Sequence, residues 1–308
     1  MVKELCIYHK NCPDGFGSAY IFWEFFKQYE EDYDLLFHAA DYKEEPPWDL
    51  IDQVSKVYLA DFSYSLDICK KILERGAHIT ILDHHKTAFE EFECLPQVDR
   101  INGDIVRELV HNGKTLTVRI DQTKSGVGNV WEYFYPVKTM PTPLKYIQDR
   151  DLWKWEFHDS KPFLKGWDLL PFDFQMWKDE MYDDKFIKQR IDIGYSIARY
   201  DEKHMDSLMK KVSINTNSYG TYALVNCPYW LCSDLGNRFM LELDIDYAVL
   251  FQYDCINHGY NFSFRSLNEK ADVSAIAKKF GGGGHHNASG CYILKGDFNP
   301  FIGGIIRE

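Results

Sequence analysis

The tripeptide Asp83-His84-His85 sets a carboxylate beside two imidazoles directly after the apolar run Ile81-Leu82. Three other short apolar runs end on groups of the same kind. Residues 5–8 lead into His9, Asn11 and Asp14, residues 57–60 into Asp61, and residues 144–147 into Asp149 and Asp151. Hard divalent cations such as manganese and magnesium favour carboxylate, imidazole and water over thiolate, and His9, Asp14, Asp61, His84 and Asp149 offer that set. Two such cations roughly 3.5–4 Å apart share a bridging carboxylate, lower the pKa of the water between them and stabilise charge on a leaving oxygen. Asp61 is the expected bridge. His85 is then left to touch phosphate, and Asp83 to orient an imidazole from behind. A single Asp after a strand is commonly a turn former or helix cap; four acid or imidazole groups on successive run ends argue for one site.

The elements needed to gather these groups are those of an open α/β sheet, where ligands bind beyond the carboxyl ends of the strands. Residues 18–26 read as a buried helix after the first strand. A strand ending at Asp61 is followed by a helix over about residues 66–75, with Ile68, Ile72 and Leu73 on one face and Gly76 as its stop, and then by a strand over 77–82. Strand, helix, strand repeated implies a parallel sheet with right-handed crossovers. Apolar residues at helical spacing over 186–212 predict a helical connector. Beyond it, residues 222–225, 247–253, 260–264 and 291–294 read as strands and 273–280 as a helix, giving a smaller mixed domain. The expected α/β organisation is therefore a parallel-sheet domain over 1–155, a helical connector over 156–211 and a mixed α/β domain over 212–308.

Composition narrows the partner. The 308 residues carry a formal charge of -12, which disfavours long duplexes gripped through clustered Lys and Arg. A small anion is compatible, because bound cations supply the local positive charge. None of the eight cysteines shows C-x-x-C spacing, and no amino-terminal cationic stretch precedes an apolar core, so reduced thiols and a cytoplasmic location are expected. No apolar run approaches the roughly 20 residues that a membrane span needs.

The run from His9 through Asn11, Cys12 and Asp14 to Gly15-Phe16-Gly17-Ser18, then Asp61-Phe62-Ser63, Asp83-His84-His85 and Asp149-Arg150-Asp151, resembles the four ordered motifs of the DHH phosphoesterases, the superfamily of the RecJ exonucleases and the nanoRNases. The resemblance implies manganese-dependent hydrolysis of phosphodiester or phosphoanhydride bonds, with two manganese ions or magnesium in their place. It marks His9, Asp14, Asp61, His84 and Asp149 as metal ligands, with Asp151 a neighbouring choice for the last. One position departs from the pattern: Cys12 stands where many members carry an acid. Thiolate is a poor partner for manganese, so a weakly held cation there and an inert thiol in a tight turn are both open readings.

A second constellation lies near the carboxyl end, where four glycines, 281–284, precede His285-His286-Asn287. Consecutive glycines let backbone N–H groups approach an anion closely. The helix before them presents its carboxyl end, which repels anions. Arg265 and His285 are the groups expected to compensate. Arg265-Ser266 with residues 272–290 resembles the companion domain of DHH phosphoesterases, which implies that Arg265, Gly282, Gly283, Gly284 and His285 bind substrate phosphate. The resemblance covers residues 3–155 and 212–295.

Together these readings predict a metal-dependent hydrolase that cleaves phosphodiester bonds of short single-stranded oligonucleotides or of linear or cyclic dinucleotides by two-metal activation of water. Catalysis falls to Asp61, His84, His85 and Asp83. Two rivals stand beside it: an inorganic pyrophosphatase or polyphosphatase, and a nucleotide-binding protein whose catalysis is weakened by Cys12. Trp153, Trp155, Trp167 and Trp177 are either base-stacking surfaces or core aromatics.

Overall fold

The computed structural model describes residues 2–41, 44–101, 104–268, 270–297 and 299–302. The chain divides into two compact units, Met1–Ala198 and Arg199–Glu308.

In the first unit the chain runs β1 (Val2–His9), α1 (Pro13–Phe26), β2 (Tyr33–Ala40), α2 (Trp48–Ile51), β3 (Lys56–Ala60), α3 (Leu66–Glu74), β4 (His78–Asp83) and α4 (Lys86–Phe92). It continues through β5 (Gln97–Ile101), β6 (Asp104–His111), β7 (Lys114–Ile120), α5 (Gly126–Phe134), α6 (Thr142–Asp151), α7 (Ser160–Trp167) and α8 (Phe174–Met181) into the long α9 (Asp184–Met209). Among the described residues seven strands form one sheet in the order β2-β1-β3-β4-β7-β6-β5. The pairs β2–β1, β1–β3, β3–β4 and β4–β7 are parallel. The parallel core is as expected, while β6 and β5 add an antiparallel edge.

The central strands read as unbroken apolar runs because both of their faces are covered. Cys6, Tyr58, Ala60 and Leu82 point into one core with Phe16, Tyr20 and Phe22 of α1, Val127 and Val130 of α5, and Leu144 and Ile147 of α6. Leu5, Ile7, Val57, Leu59, Ile79 and Ile81, one residue out of phase, point into the other, with Cys69, Ile72 and Leu73 of α3. The period-two alternation of strand side chains sorts them between the two layers. Gly76, with φ 98°, ends α3 as its position suggested.

Two expectations change. Residues 144–147 do not form a strand end but lie inside α6, which starts with Pro143 in its first turn, a position where proline's fixed φ favours a helix. The segment expected as a connector is divided, since residues 156–198 pack into the first unit. Phe163, Leu164 and Trp167 of α7, Trp177 and Met181 of α8, and Ile187 of α9 all join the core that covers α1. Trp167 and Trp177 are thus core aromatics, each only 1% exposed.

The second unit carries β8 (Ser213–Asn217), β9 (Gly220–Asn226), α10 (Cys232–Glu242), β10 (Tyr247–Asp254), β11 (Gly259–Arg265), α11 (Val273–Lys278), β12 (Gly283–His285) and β13 (Ala288–Leu294). Its described strands make one mixed sheet, β12-β13-β11-β10-β9-β8, with β9–β10 the parallel pair. Ala223, Val225, Ala248 and Leu250 pack against Leu235 and Phe239 of α10. Val249, Phe262, Phe264 and Ile293 pack against Val273, Ile276 and Ala277 of α11. Among the described residues no helix is long and apolar enough to cross a membrane.

Because Trp167 is enclosed between helices of the first unit, Trp167→Ala is expected to cost about 3–5 kcal/mol. Chemical denaturation of the variant, read as a lower midpoint, checks this.

Candidate active site

The strand order fixes where the site is built. From β1 the chain first goes outward to β2 and then crosses to β3 on the other side, so the carboxyl ends of β1 and β3 flank a topological switch point. His9 is the last residue of β1, and Asp61 directly follows β3. Asp61 has φ 53°, a left-handed conformation that costs a non-glycine residue of order 1–3 kcal/mol. Its N–H is held by the Leu82 carbonyl at 2.9 Å. This bend leaves the Asp61 carboxylate between two imidazoles, with Oδ1 3.0 Å from His84 Nε2 and Oδ2 3.5 Å from His9 Nδ1.

At the end of β4, buried Asp83 arranges the two histidines after it. Its Oδ1 accepts from the backbone N–H of His84 at 2.7 Å and of His85 at 3.3 Å, and it lies 2.7 Å from His85 Nδ1. Burial alone would raise the Asp83 carboxyl, but the charge and hydrogen bond of His85 hold it below its ordinary value. The ionised acid therefore places the His85 proton on Nδ1 and directs Nε2 the opposite way.

Asp14, in the first turn of α1, reaches the amino terminus of α5. Its carboxylate accepts from Ser125 Oγ at 2.8 Å, Gly126 N at 2.5 Å and Val127 N at 3.0 Å, where the helix dipole favours negative charge. Gly126 permits this approach, since a Cβ there would overlap Asp61 and the Asp14 carboxylate. Neither Ser125 nor Gly126 was singled out from the sequence. The available signal was a serine at a helix N-cap beside a glycine, just past a strand.

The two acids of the fourth motif part company. Asp149 is 3% exposed, and its carboxylate accepts from Glu156 N at 2.8 Å, Phe157 N at 3.2 Å and Ser160 Oγ at 2.6 Å, which ties the end of α6 to the start of α7. It is Asp151 that meets the histidine, with Oδ2 3.4 Å from His84 Nε2. Two residues turn a helix through roughly 200°, so only one of the two acids can face the strand ends.

Two of the resulting donor groups adjoin. His9, Cys12 and Asp61 bring one donor atom each within 4.8 Å of one another, as do Asp14, His84 and Asp151; the Asp61–His84 contact joins them. Burial, and then the charges of Asp61 and Asp151, push the Asp14 carboxyl well above the usual carboxylate range. Burial likewise raises Asp151. Against burial, which alone would lower them, contacts with these acids raise His84 well above the ordinary imidazole value, and contacts with Asp61 and Cys12 raise His9 to about 11. Asp61, which burial alone would raise, is held far below its usual value by His84 and His9. Asp61 Oδ2 and Asp151 Oδ2 are buried without a hydrogen bond. Crowded acids with such atoms turned inward fit divalent cations, and each group has three side-chain donors to hold one.

No protein-family model matches the sequence. The chain is 32% identical over 300 residues to the uncharacterized protein R106 of Acanthamoeba polyphaga mimivirus, an alignment covering 93% of this chain and 66% of that protein. It is 24% identical over 255 residues to the oligoribonuclease NrnB of Bacillus subtilis (strain 168), covering 75% of this chain and 57% of that protein. The chain thus spans less than two thirds of the length of these curated relatives. Among solved structures, an exonuclease RecJ bound to manganese superposes with a TM-score of 0.50 and 11% identity, over 95% of this chain and 86% of that one.

The chain shares its fold with this exonuclease and resembles the oligoribonuclease in sequence. In the second unit, Arg265 and His285 both lie beside Ala288, on the strands flanking β13, so register puts all three in one row on one sheet face. The Arg265 guanidinium is held by the Phe264 carbonyl at 2.7 Å and Ser233 Oγ at 2.8 Å. The glycines differ from the expected loop. Gly283 and Gly284 pair with β13 in a hairpin, and Gly282 donates its N–H to the Ala277 carbonyl at 2.9 Å. A Cβ at Gly282 would overlap the Gly290 carbonyl. Gly282 and Gly284 permit close strand packing, and the Gly282 N–H is committed to the backbone.

The two fourth-motif acids separate by experiment. Asp149→Ala, leaving buried donors unpaired, is expected to lower stability by about 1–3 kcal/mol in thermal or chemical denaturation. Asp151→Asn is expected to keep the fold and to weaken divalent-cation binding in calorimetry.

Proposed function

We propose that this protein is a metal-dependent phosphodiesterase of the DHH family acting on short single-stranded oligonucleotides or on linear or cyclic dinucleotides. The observation that carries the reading is the pair of donor groups joined through Asp61 and His84 at the switch point of the sheet. Alignment with an oligoribonuclease supports the substrate class, and likeness in fold to a manganese-bound exonuclease supports the cation class. The charge of -12 favours small substrates over long duplexes.

Two divalent cations, manganese by preference, would be held by His9, Asp14, Asp61, His84 and Asp151, and would supply activated water and positive charge against the phosphoryl oxygens. Asp61, reached by imidazoles on both sides, spans the two positions. Asp14 sets its carboxylate against α5 while its Oδ2, 3.7 Å from His84 Nε2, remains in the cluster. His85 keeps its proton on Nδ1 through Asp83 and presents Nε2 to a phosphoryl oxygen. Asp83 is a positioning residue for both histidines. Arg265 and His285, both in the second unit, would serve as phosphate-binding groups there.

The test is a hydrolysis panel with manganese over dinucleotides, cyclic dinucleotides, short oligonucleotides and polyphosphate. Cleavage of the short nucleotides is expected, abolished in Asp61→Asn and reduced by about 10–100-fold in Asp83→Asn. Turnover of polyphosphate alone would transfer the protein to the phosphoanhydride class. Undiminished activity in Asp61→Asn would locate the chemistry elsewhere.

A further inference from the structure

The two donor groups are unequal. Asp14, His84 and Asp151 offer oxygen, nitrogen and oxygen, whereas His9, Cys12 and Asp61 offer nitrogen, sulfur and oxygen. Cys12 enters the second set through the turn after β1. Asn11 takes a left-handed conformation, φ 55°, and Lys10 N–H is fixed to the Ala40 carbonyl at 2.9 Å. Pro13 then starts α1 with Cys12 at its N-cap, and the Phe16 N–H bonds to the Cys12 carbonyl at 2.9 Å. The backbone of this turn is bonded on both sides of Cys12, and the Cys12 thiol makes contact with His9.

Thiolate and carboxylate carry the same charge, so sulfur here preserves the electrostatics of a cation position while changing its softness. Thiolate ligands select zinc-like or ferrous ions over manganese and magnesium, which favour oxygen. Imidazole suits zinc and iron as well.

We propose that Cys12 is a specificity-determining ligand that tunes the His9–Cys12–Asp61 position to a borderline, thiolate-accepting divalent cation of the zinc and ferrous class. The Asp14–His84–Asp151 position keeps a hard cation, and the centre is mixed. The proposal rests on the two-cation reading above, and it replaces loss of a metal at the first position by a change of metal.

Cobalt titration of the chelator-treated full chain tests it, because a cobalt–thiolate bond gives a near-ultraviolet charge-transfer band that oxygen and nitrogen ligands do not. The wild type is expected to bind cobalt with that band, and Cys12→Ser and Cys12→Asp to lack it. Calorimetry with zinc and manganese is expected to show zinc preferred at one position. Cys12→Asp should weaken zinc there by at least the roughly 10–100-fold that even an outer partner is worth, and strengthen manganese. Two cobalt ions bound to the wild type with no charge-transfer band would overturn the proposal while leaving the two-cation reading intact. No binding of cobalt or manganese at all would overturn both. Far-UV circular dichroism checks that the variants fold, and the wild-type spectrum carries the test if either does not.

Discussion

Carboxylates brought together out of water repel one another, and the first unit holds four of them, Asp14, Asp61, Asp83 and Asp151, around three histidines. Such a cluster survives only where each acid is compensated. Asp83 is compensated by His85 and two backbone N–H groups, and Asp14 by the amino terminus of α5. Asp61 draws on His84 and His9 and Asp151 on His84, and Asp61, Asp83 and Asp151 each keep a buried oxygen without a hydrogen bond. The cluster is therefore left with unbonded acid oxygens where the two donor groups meet. A protein that needed only stability would do as well with apolar residues there. The persistence of acid in that volume is the physical case for cations.

The sheet makes this cluster possible with little special structure. Strand ends on either side of the switch point deliver His9 and Asp61, the next strand delivers Asp83, His84 and His85, and two helix ends deliver Asp14 and Asp151. Of these residues Asp61 has a left-handed backbone, and that turn sets its carboxylate between histidines from neighbouring strands. The apolar side chains on both faces of β1, β3 and β4 hold those ends in register. The precision of the site thus derives from two cores that contain none of its residues.

Much of this was legible in the chain, for identifiable reasons. Strands buried on both faces leave unbroken apolar runs, so β1, β3 and β4 and the polar residues beyond them could be read directly. Residues 144–147 were misread because a short apolar run does not distinguish a strand from a buried helical turn; Pro143 was the cue that pointed to the helix. Asp149 was preferred to Asp151 on motif alone, whereas the helix lets one acid face the site and turns the other toward α7. The β6–β7 hairpin carried an overlooked signal in Asn112-Gly113, both of which have positive φ, as a tight two-residue hairpin turn requires. The glycines at 282–284 were read as a loop and lie at a hairpin, since a composition suited to anions also suits a tight strand pairing.

Asp149 carries one more implication. By gripping the start of α7, it makes the helices beyond α6 part of the scaffold that holds Asp151 in place, and Phe163, Trp167 and Trp177 complete the layer over α1. The natural place to cut this protein into separately expressible pieces is consequently not after the last recognisable motif. A fragment ending near residue 155 would expose the flank of its own core, whereas one extended to Ala198 retains α7, α8 and the part of α9 that packs on it.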